Sequence, residues 1–466
     1  MASRVLLIST NTYVTPDPVF PLGLAHLASA LRKAGHEVFW QDNLARPRPI
    51  EEAMREAQPD CVGISVRNID DVLIRTRETF FSTLPDLCGR IRSLKDCPIV
   101  LGGSGYSIFP SELLQLSGAD YGVCGPGELA LIELIQCFED GTDPSGVPGL
   151  VRRAGGGVVC NAPSAEGYEA SLEGGLDGVT DFYIRNGGML NVQTQRGCKH
   201  RCCYCTYPLI EGRHHQCRSG EAVAEDFARA IRAGARYVCV TDSIFNSSLA
   251  HVHQVCEALL RKDIKVPWGC FLRPEGLTAS AMDLMGRAGL NHIEFGSDSF
   301  SDPVLKCSGK GFALEDVVRS SELARARQID YCHFLICGGP GETDATIEES
   351  FRNSTLMDGA IIMAVVGMRI YPGTPLYRRA MEEGRIAPDH NLLEPCYYVA
   401  PGLDADQVFA KIKRHAATAS NWVAGEVTPQ YQRFVERLRS RGVPGPMWGY
   451  LSMIQRLMPE KLRPTQ

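Results

Sequence analysis

An α/β protein made of two consecutive strand–helix series is predicted by three features of the sequence. Apolar runs of strand length alternate with helical segments over residues 1–140. A stretch rich in Gly, Pro and acidic residues then interrupts the alternation at 141–190, and a second alternation begins at 191. At 466 residues the chain has room for two or three domains. The pattern predicts a doubly wound parallel sheet over 1–140, a linker with room for a small hairpin over 141–190, a partial (β/α)6 barrel over 191–375 and a helical C-terminal cap over 376–466.

In the first series "VLLIS" (5–9) has the character of a buried strand. "LGLAHLASALRKAG" (22–35) places Leu24, Leu27, Ala28 and Leu31 on one helical face before Gly35 ends it. "EVFW", "CVGIS", "PIVLGG" and "DYGVCG" complete five strands, each beside a helix-like segment, so helices cover both faces of the sheet. Ligands of such sheets sit at the carboxyl ends of the strands. The turns "GGSG" (102–105) and "GPGE" (125–128) fall there and permit close backbone approach, or serve as tight turns alone.

The second series offers "NVQTQ" (191–195), "YVCVTD" (237–242), "WGCFLR" (268–273), "HIEFGSD" (292–298), "YCHFLICGG" (331–339) and "IIMAVVGMRIY" (361–371) as strands. Helical patterns such as "GEAVAEDFARAIRAG" and "LAHVHQVCEALLRK" lie between them, which implies a curved parallel sheet with a site built from the loops after its strands. Near the end, Met447, Leu451, Ile454 and Met458 recur at helical spacing in "PMWGYLSMIQRLMP" (446–459). That stripe suits a core-packed helix first and a lipid-facing surface second.

Bulk properties exclude several classes. A net charge of −6 gives no basic surface for a polyanion, so nucleic acid is not expected as a partner. The N-terminus lacks the features of a secretory signal and no apolar stretch reaches the roughly 18 residues of a membrane span, so a cytoplasmic protein is expected. In that reducing compartment the 18 cysteines read as packing residues plus a metal or redox site.

"RGCKHRCCYCTYP" (196–208) concentrates that chemistry on the loop after the first strand of the second series. Cys198, Cys202 and Cys205 have the spacing C-x3-C-x2-C, with which one loop supplies three corners of an iron–sulfur cube and leaves the fourth iron open. A zinc site completed by His200, His214 or His215 is an alternative, and a disulfide a weaker one. Cys203 reads as a packing residue, or as a thiol near the site.

This cysteine motif, with Tyr204 before its last member and strand–helix units after it, resembles the radical S-adenosylmethionine superfamily. The resemblance implies a [4Fe-4S] cluster on Cys198, Cys202 and Cys205 whose open iron binds S-adenosylmethionine. It further implies that Asp242 and Ser243 of "VTDSIFN", in place of the more familiar Gly-Gly-Glu, meet the methionine portion of that cofactor. Arg273 would meet its carboxylate, Ser297 or Asp298 its ribose, and Gly338 and Gly339 of "LICGGPGET" its adenine. Arg213 and Arg218 flank the loop, either as solvated charge or as partners of a carboxylate.

"PLGLAHLASALRKAGH", "GISV", "PIVLGGSGYSIFPSELL" and "ADYGVCGPGE" resemble the cobalamin-binding domain that precedes the radical domain in one subgroup. Cobalamin contacts are then implied at Ser65, Gly102, Gly103, Ser104 and Gly125. No D-x-H-x-x-G follows the first strand, so no histidine there serves as a lower ligand of cobalt; loss of cobalamin, with the domain kept as a scaffold, stays open. The subgroup implies cobalamin-dependent methyl transfer to an unactivated carbon of a small-molecule or lipid-like substrate, with electrons from flavodoxin or ferredoxin. The alternatives are transfer of a 3-amino-3-carboxypropyl group to a soft acceptor such as arsenic, for which Cys203, Cys217, Cys307, Cys332, Cys337 and Cys396 are surplus thiols, and a non-catalytic cobalamin carrier or iron–sulfur sensor.

Overall fold

The computed structural model describes all residues except 1, 165–169, 176–177, 420, 426–428 and 451–466. Seven strands form the first sheet: β1 (Arg4–Ser9), β2 (Glu37–Asp42), β3 (Cys61–Ser65), β4 (Ile99–Gly102), β5 (Tyr121–Val123), β6 (Leu150–Ala154) and β7 (Gly157–Cys160). Their order is β2-β1-β3-β4-β5-β6-β7. The first five are parallel, and Val5, Leu6 and Leu7 of β1 are fully buried because helices cover both faces. The helix Leu22–Lys33 buries Leu24, Ala28 and Leu31 as its periodicity predicts, while Leu27 on the same face is left partly exposed at a cavity wall.

Residues 141–190 are more than a linker. β6 and β7 are an antiparallel hairpin that extends the first sheet from β5. Gly155 and Gly156, at φ 59° and 80°, make the two-residue connection, a conformation in which a side chain on either residue would be strained.

The second sheet draws on β8 (Leu190–Val192), β11 (Val238–Val240), β12 (Trp268–Leu272), β13 (Leu290–Asp298), β14 (Asp330–Cys337), β15 (Ile361–Val366) and β18 (Trp422–Ala424). β9 (Gln195–Arg196) with β10 (Gln216–Cys217), and β16 (Met368–Arg369) with β17 (Tyr397–Tyr398), form small antiparallel ribbons. The large sheet is parallel throughout, in the order β18-β15-β14-β13-β12-β11-β8. Two expectations change here. "IIMAVVGMRIY" is not one strand, because Gly367 at φ 80° turns the chain out of β15 into the ribbon strand β16. The C-terminal region is not purely a helical cap either, since β18 adds a seventh strand beside β15 and buries Trp422.

The larger buried apolar cluster runs from Val5 and Leu7 in the first sheet to Val192, Phe295 and Leu335 in the second, so the two domains share one core. Ion pairs fasten the joint. Arg196 of β9 makes two hydrogen bonds to Glu128, Nη1 to Oε2 at 2.9 Å and Nη2 to Oε1 at 2.6 Å. Arg369 meets Asp70 at 2.8 Å in full burial, and Arg439 meets Asp17 at 2.8 Å. Of the C-terminal stripe, Met447 and Trp448 lie buried in a short 3-10 turn, whereas Leu451, Ile454 and Met458 lie outside the described residues.

Candidate active site

The cysteine loop leaves the carboxyl end of β8 and is pinned from three sides. Asp242, after β11, accepts the amides of Thr194 and Gln195 at 2.7 and 3.2 Å and the Thr194 hydroxyl at 2.5 Å. Ser243 Oγ donates to the Gly197 carbonyl at 2.9 Å, and the Cys203 amide donates to the Ser308 carbonyl at 2.9 Å. Both oxygens of Asp242 are thus occupied by protein donors, and it fastens the strand end that carries the loop. Ser243 does the same at Gly197, so neither side chain stands free toward a cofactor.

Cys198 is buried, and Cys202 and Cys205 are partly buried, on this one loop. Burial raises the Cys198 thiol and pushes Cys205 up to about 12, so a group that takes these sulfurs must displace their protons. Two cations stand ready to offset thiolate charge. Arg273 Nη1 lies 3.9 Å from Cys202 Sγ, and Lys310, itself 5% exposed, pairs with Asp298 at 2.8 Å beside Tyr204. Three soft sulfur donors with flanking cations fit an iron–sulfur cluster. The zinc alternative loses its histidines: His200 faces Glu275 at 3.8 Å and stacks edge-on near His215. Among the described residues no three His, Cys, Asp or Glu groups converge as a single metal ion requires.

Hydrogen bonding decides a choice that the sequence leaves open. On β13, Ile293, Phe295 and Ser297 face the helices, where Ser297 Oγ bonds His333 Nδ1 at 2.7 Å and His333 in turn bonds Ser321. Asp298 faces the cysteine loop and accepts from the Tyr204 hydroxyl at 2.7 Å. Of the two candidates, only Asp298 faces the cysteine loop. Arg273 is held by Glu275 and by the Lys310 carbonyl, which aims its remaining nitrogen at Cys202. Gly338, at φ 90°, gives its amide to Glu342 Oε2 at 2.7 Å, and a Cβ on Gly339 would press on Met368. Arg218 is neither solvated nor free: it is buried, 2.6 Å from Asp226, and donates to the Gln193 carbonyl. Arg213 is exposed. Cys203 is buried within the smaller apolar cluster, the packing role.

A cavity of about 1650 Å³ opens between the two sheets and runs into the barrel lumen. Ser65, Gly102, Gly103, Ser104 and Gly125 all lie on its wall, at the carboxyl ends of β3, β4 and β5. Gly103 holds its turn at φ 101°, where a Cβ would come within 2.6 Å of the Val66 carbonyl. Arg67 lines the same wall with no carboxylate partner among the described residues, and burial lowers its pKa. A cavity of this size, with backbone turns and the cations Arg67, Arg75, Arg196 and Lys413 on its wall, fits a bulky cofactor that carries anionic groups.

Sequence reasoning missed Lys310, Arg67, Glu342 and Glu294. Glu294 had a visible signal, a charged residue inside the strand run "HIEFGSD"; Lys310 had only its place between two glycines.

A fold that couples a B12-type sheet to a three-cysteine barrel defines a class, and comparison with known proteins agrees. The family model of the B12 binding domain matches residues 9–135, and that of the Radical SAM superfamily matches 192–353. The chain belongs to the cobalamin-binding-domain-containing radical S-adenosylmethionine enzymes. The radical S-adenosylmethionine methyltransferase TsrM of Kitasatospora setae, solved with cobalamin and a [4Fe-4S] cluster, superposes with a TM-score of 0.87 at 25% identity, covering 99% of both chains. Its complex with tryptophan and aza-SAM superposes at 0.86 and 26% identity, covering 98% of both. The tryptophan 2-C-methyltransferase of Streptomyces laurentii is 24% identical over 455 residues, 81% of this chain and 74% of that one. The hopanoid C-3 methylase of Methylococcus capsulatus is 24% identical over 332 residues, 68% of this chain and 60% of its own. No helix among the described residues is long and apolar enough to cross a membrane.

Proposed function

We propose that this enzyme transfers a methyl group to a carbon of an apolar small molecule seated in the barrel lumen, using a [4Fe-4S] cluster, S-adenosylmethionine and cobalamin. The observation that carries this reading is the continuous cavity, which joins the carboxyl ends of the first sheet to the interior of the second. When bound, the cluster supplies an electron and an open iron for S-adenosylmethionine, and cobalamin supplies a transferable methyl group.

The chain's own residues hold and exclude. Cys198, Cys202 and Cys205 hold the cluster; Arg273 and Lys310 offset its charge; and Asp298, oriented by Tyr204 and Lys310, keeps one oxygen for a cofactor hydroxyl. Glu342 fixes the Gly338 turn, whose backbone would hold the adenine of S-adenosylmethionine. Ser65, Gly102, Gly103, Ser104 and Gly125 offer backbone and small side chains to the corrin side, where Arg67 meets an anionic group. Phe271, Phe334, Met363 and Trp448 line the lumen and exclude water from the acceptor. A reduced flavodoxin or ferredoxin delivers electrons. Aminocarboxypropyl transfer and a carrier or sensor role are not favoured, because the long relatives named above are methyltransferases. Their acceptors, an amino acid and a hopanoid, differ so widely that neither fixes the acceptor here.

The test is anaerobic reconstitution with iron, sulfide and cobalamin, addition of S-adenosylmethionine and reductant, and mass spectrometry of the nucleosides. S-adenosylhomocysteine that appears only with cobalamin, and that disappears in Cys205→Ala, is the expected result. Formation of 5'-methylthioadenosine overturns methyl transfer.

A further inference from the structure

β13 runs along the lumen wall and turns Glu294 into the cavity; Asp298 follows four residues later, across an irregularity in the ladder between Phe295 and Asp298, so Glu294 lies at most about 13 Å deeper than the Asp298 carboxylate at ~3.3 Å per residue. Among the described residues of the barrel strands that line this cavity, Glu294 carries the only carboxylate. The lumen wall contributed by the neighbouring strands is apolar or uncharged: Cys239, Thr241, Phe271, Phe334 and Met363. One oxygen accepts from Trp448 Nε1 at 2.9 Å. The other receives no hydrogen bond from a described residue, and no Lys or Arg pairs with it. A carboxylate placed in such a setting without a cation is costly, and the cost is offset when a ligand brings a donor.

We infer that Glu294 anchors the acceptor substrate, and that this substrate is an apolar molecule with a nitrogen-bound hydrogen directed at the free oxygen of Glu294. The inference rests on the proposed lumen-bound acceptor and adds its class. Trp448 closes the far side of the carboxylate: its ring meets His292 edge-on at 5.2 Å, and His292 Nδ1 bonds the Tyr237 hydroxyl at 3.1 Å. The apolar body then extends from Glu294 toward the cofactor side. Burial holds the Glu294 carboxyl at about 7, against the pull of the Trp448 hydrogen bond, so capture of a donor near neutral pH expels a proton.

Isothermal titration calorimetry on the full chain, reconstituted anaerobically with cluster and cobalamin, tests this without turnover. The probes are 2-phenylethylamine, which presents an ammonium, indole, which presents a ring N–H, and indene, which has the shape of indole and neither donor. The expected result is that one of the two nitrogen compounds binds roughly tenfold or more tightly than indene, that Glu294→Gln removes this preference, and that proton release at pH 7, read from two buffers of different ionisation enthalpy, vanishes with it. Which nitrogen compound binds identifies ammonium or ring N–H as the donor. Equal binding of all three, or a preference that survives in Glu294→Gln, overturns the inference. Should Glu294→Gln not fold, Trp448→Phe serves: loss of the indole donor moves proton release to higher pH, and an unmoved profile overturns the inference. Methyl transfer is judged separately by S-adenosylhomocysteine, so a failed anchor and a failed reaction are distinguishable.

Discussion

Lys310 and Asp298 stand 2.8 Å apart, 5% and 4% exposed, at the edge of the cysteine loop. Such a pair contributes little net stability while intact, but removing one partner strands the other charge in a low-dielectric site. Lys310→Met is therefore expected to destabilise the fold by about 3–5 kcal/mol in urea unfolding, and to weaken S-adenosylmethionine binding by equilibrium dialysis. Tyr204→Phe removes one donor to Asp298 and leaves Lys310 in place, so a cost of about 1–2 kcal/mol is expected in the same unfolding measurement. Ser297→Ala should leave S-adenosylmethionine affinity unchanged, because its hydroxyl faces His333 in the helix layer.

At the scale of elements, the cysteine loop is shaped by its glycine as much as by its thiols. Gly197 sits at φ 85°, and a Cβ there would run into the His214 carbonyl of the facing segment. Cys198 is the next residue, and its amide is bonded to the Gly212 carbonyl at 3.1 Å. Gly197→Ala is therefore expected to cost about 1–3 kcal/mol in backbone strain and to lower iron bound per chain after reconstitution, while the far-UV circular dichroism stays as in the parent. In β13 the ladder is irregular between Phe295 and Asp298, and Asp298 takes φ 65°, so Ser297 bonds His333 on the helix side while Asp298 turns to the Tyr204 hydroxyl. One nine-residue strand thereby carries both Asp298, beside the cysteine loop, and Glu294, on the cavity wall.

For the whole molecule, buried carboxyls and buried histidines together set the response to pH. Burial raises Glu294 and Glu342 from 4.5 to about 7, so the native state keeps protons that the unfolded chain gives up above about 4.5. Their stabilising contribution is complete below about 4.5 and is lost as pH rises through about 7. Glu128 has the opposite sign. Burial alone would raise it, but the Arg196 guanidinium outweighs burial and holds the carboxyl at about 2. Its contribution is present above about 4.5 and is lost as pH falls through about 2. Buried His26, His200, His251, His292 and His333, which burial lowers to about 3–4, act with the opposite sign below about 6.5, so the carboxyls are read above it: thermal unfolding of the cofactor-free chain should show melting temperature falling between pH 6.5 and 7.5, with a shallower slope in Glu294→Gln/Glu342→Gln. Glu128→Gln should leave that slope intact and weaken the joint between the two domains.

The sequence by itself determined the order of strands and helices, the position of the cysteine loop after β8, the glycine turns of the first sheet and the class of chemistry. Each of these is local: periodicity, turn residues and ligand spacing act within a few positions of one another. Only the tertiary structure decided that the hairpin Leu150–Cys160 extends the first sheet, that Trp422–Ala424 completes the second, and that Arg218 and Asp242 are held by protein partners. It also decided which of Ser297 and Asp298 faces the site, and brought Glu294 and Trp448, 154 positions apart, to 2.9 Å. A partner chosen across such a separation leaves no periodic trace in the sequence, because it is the packing of whole strands and the closing of a shared core that bring the two side chains together.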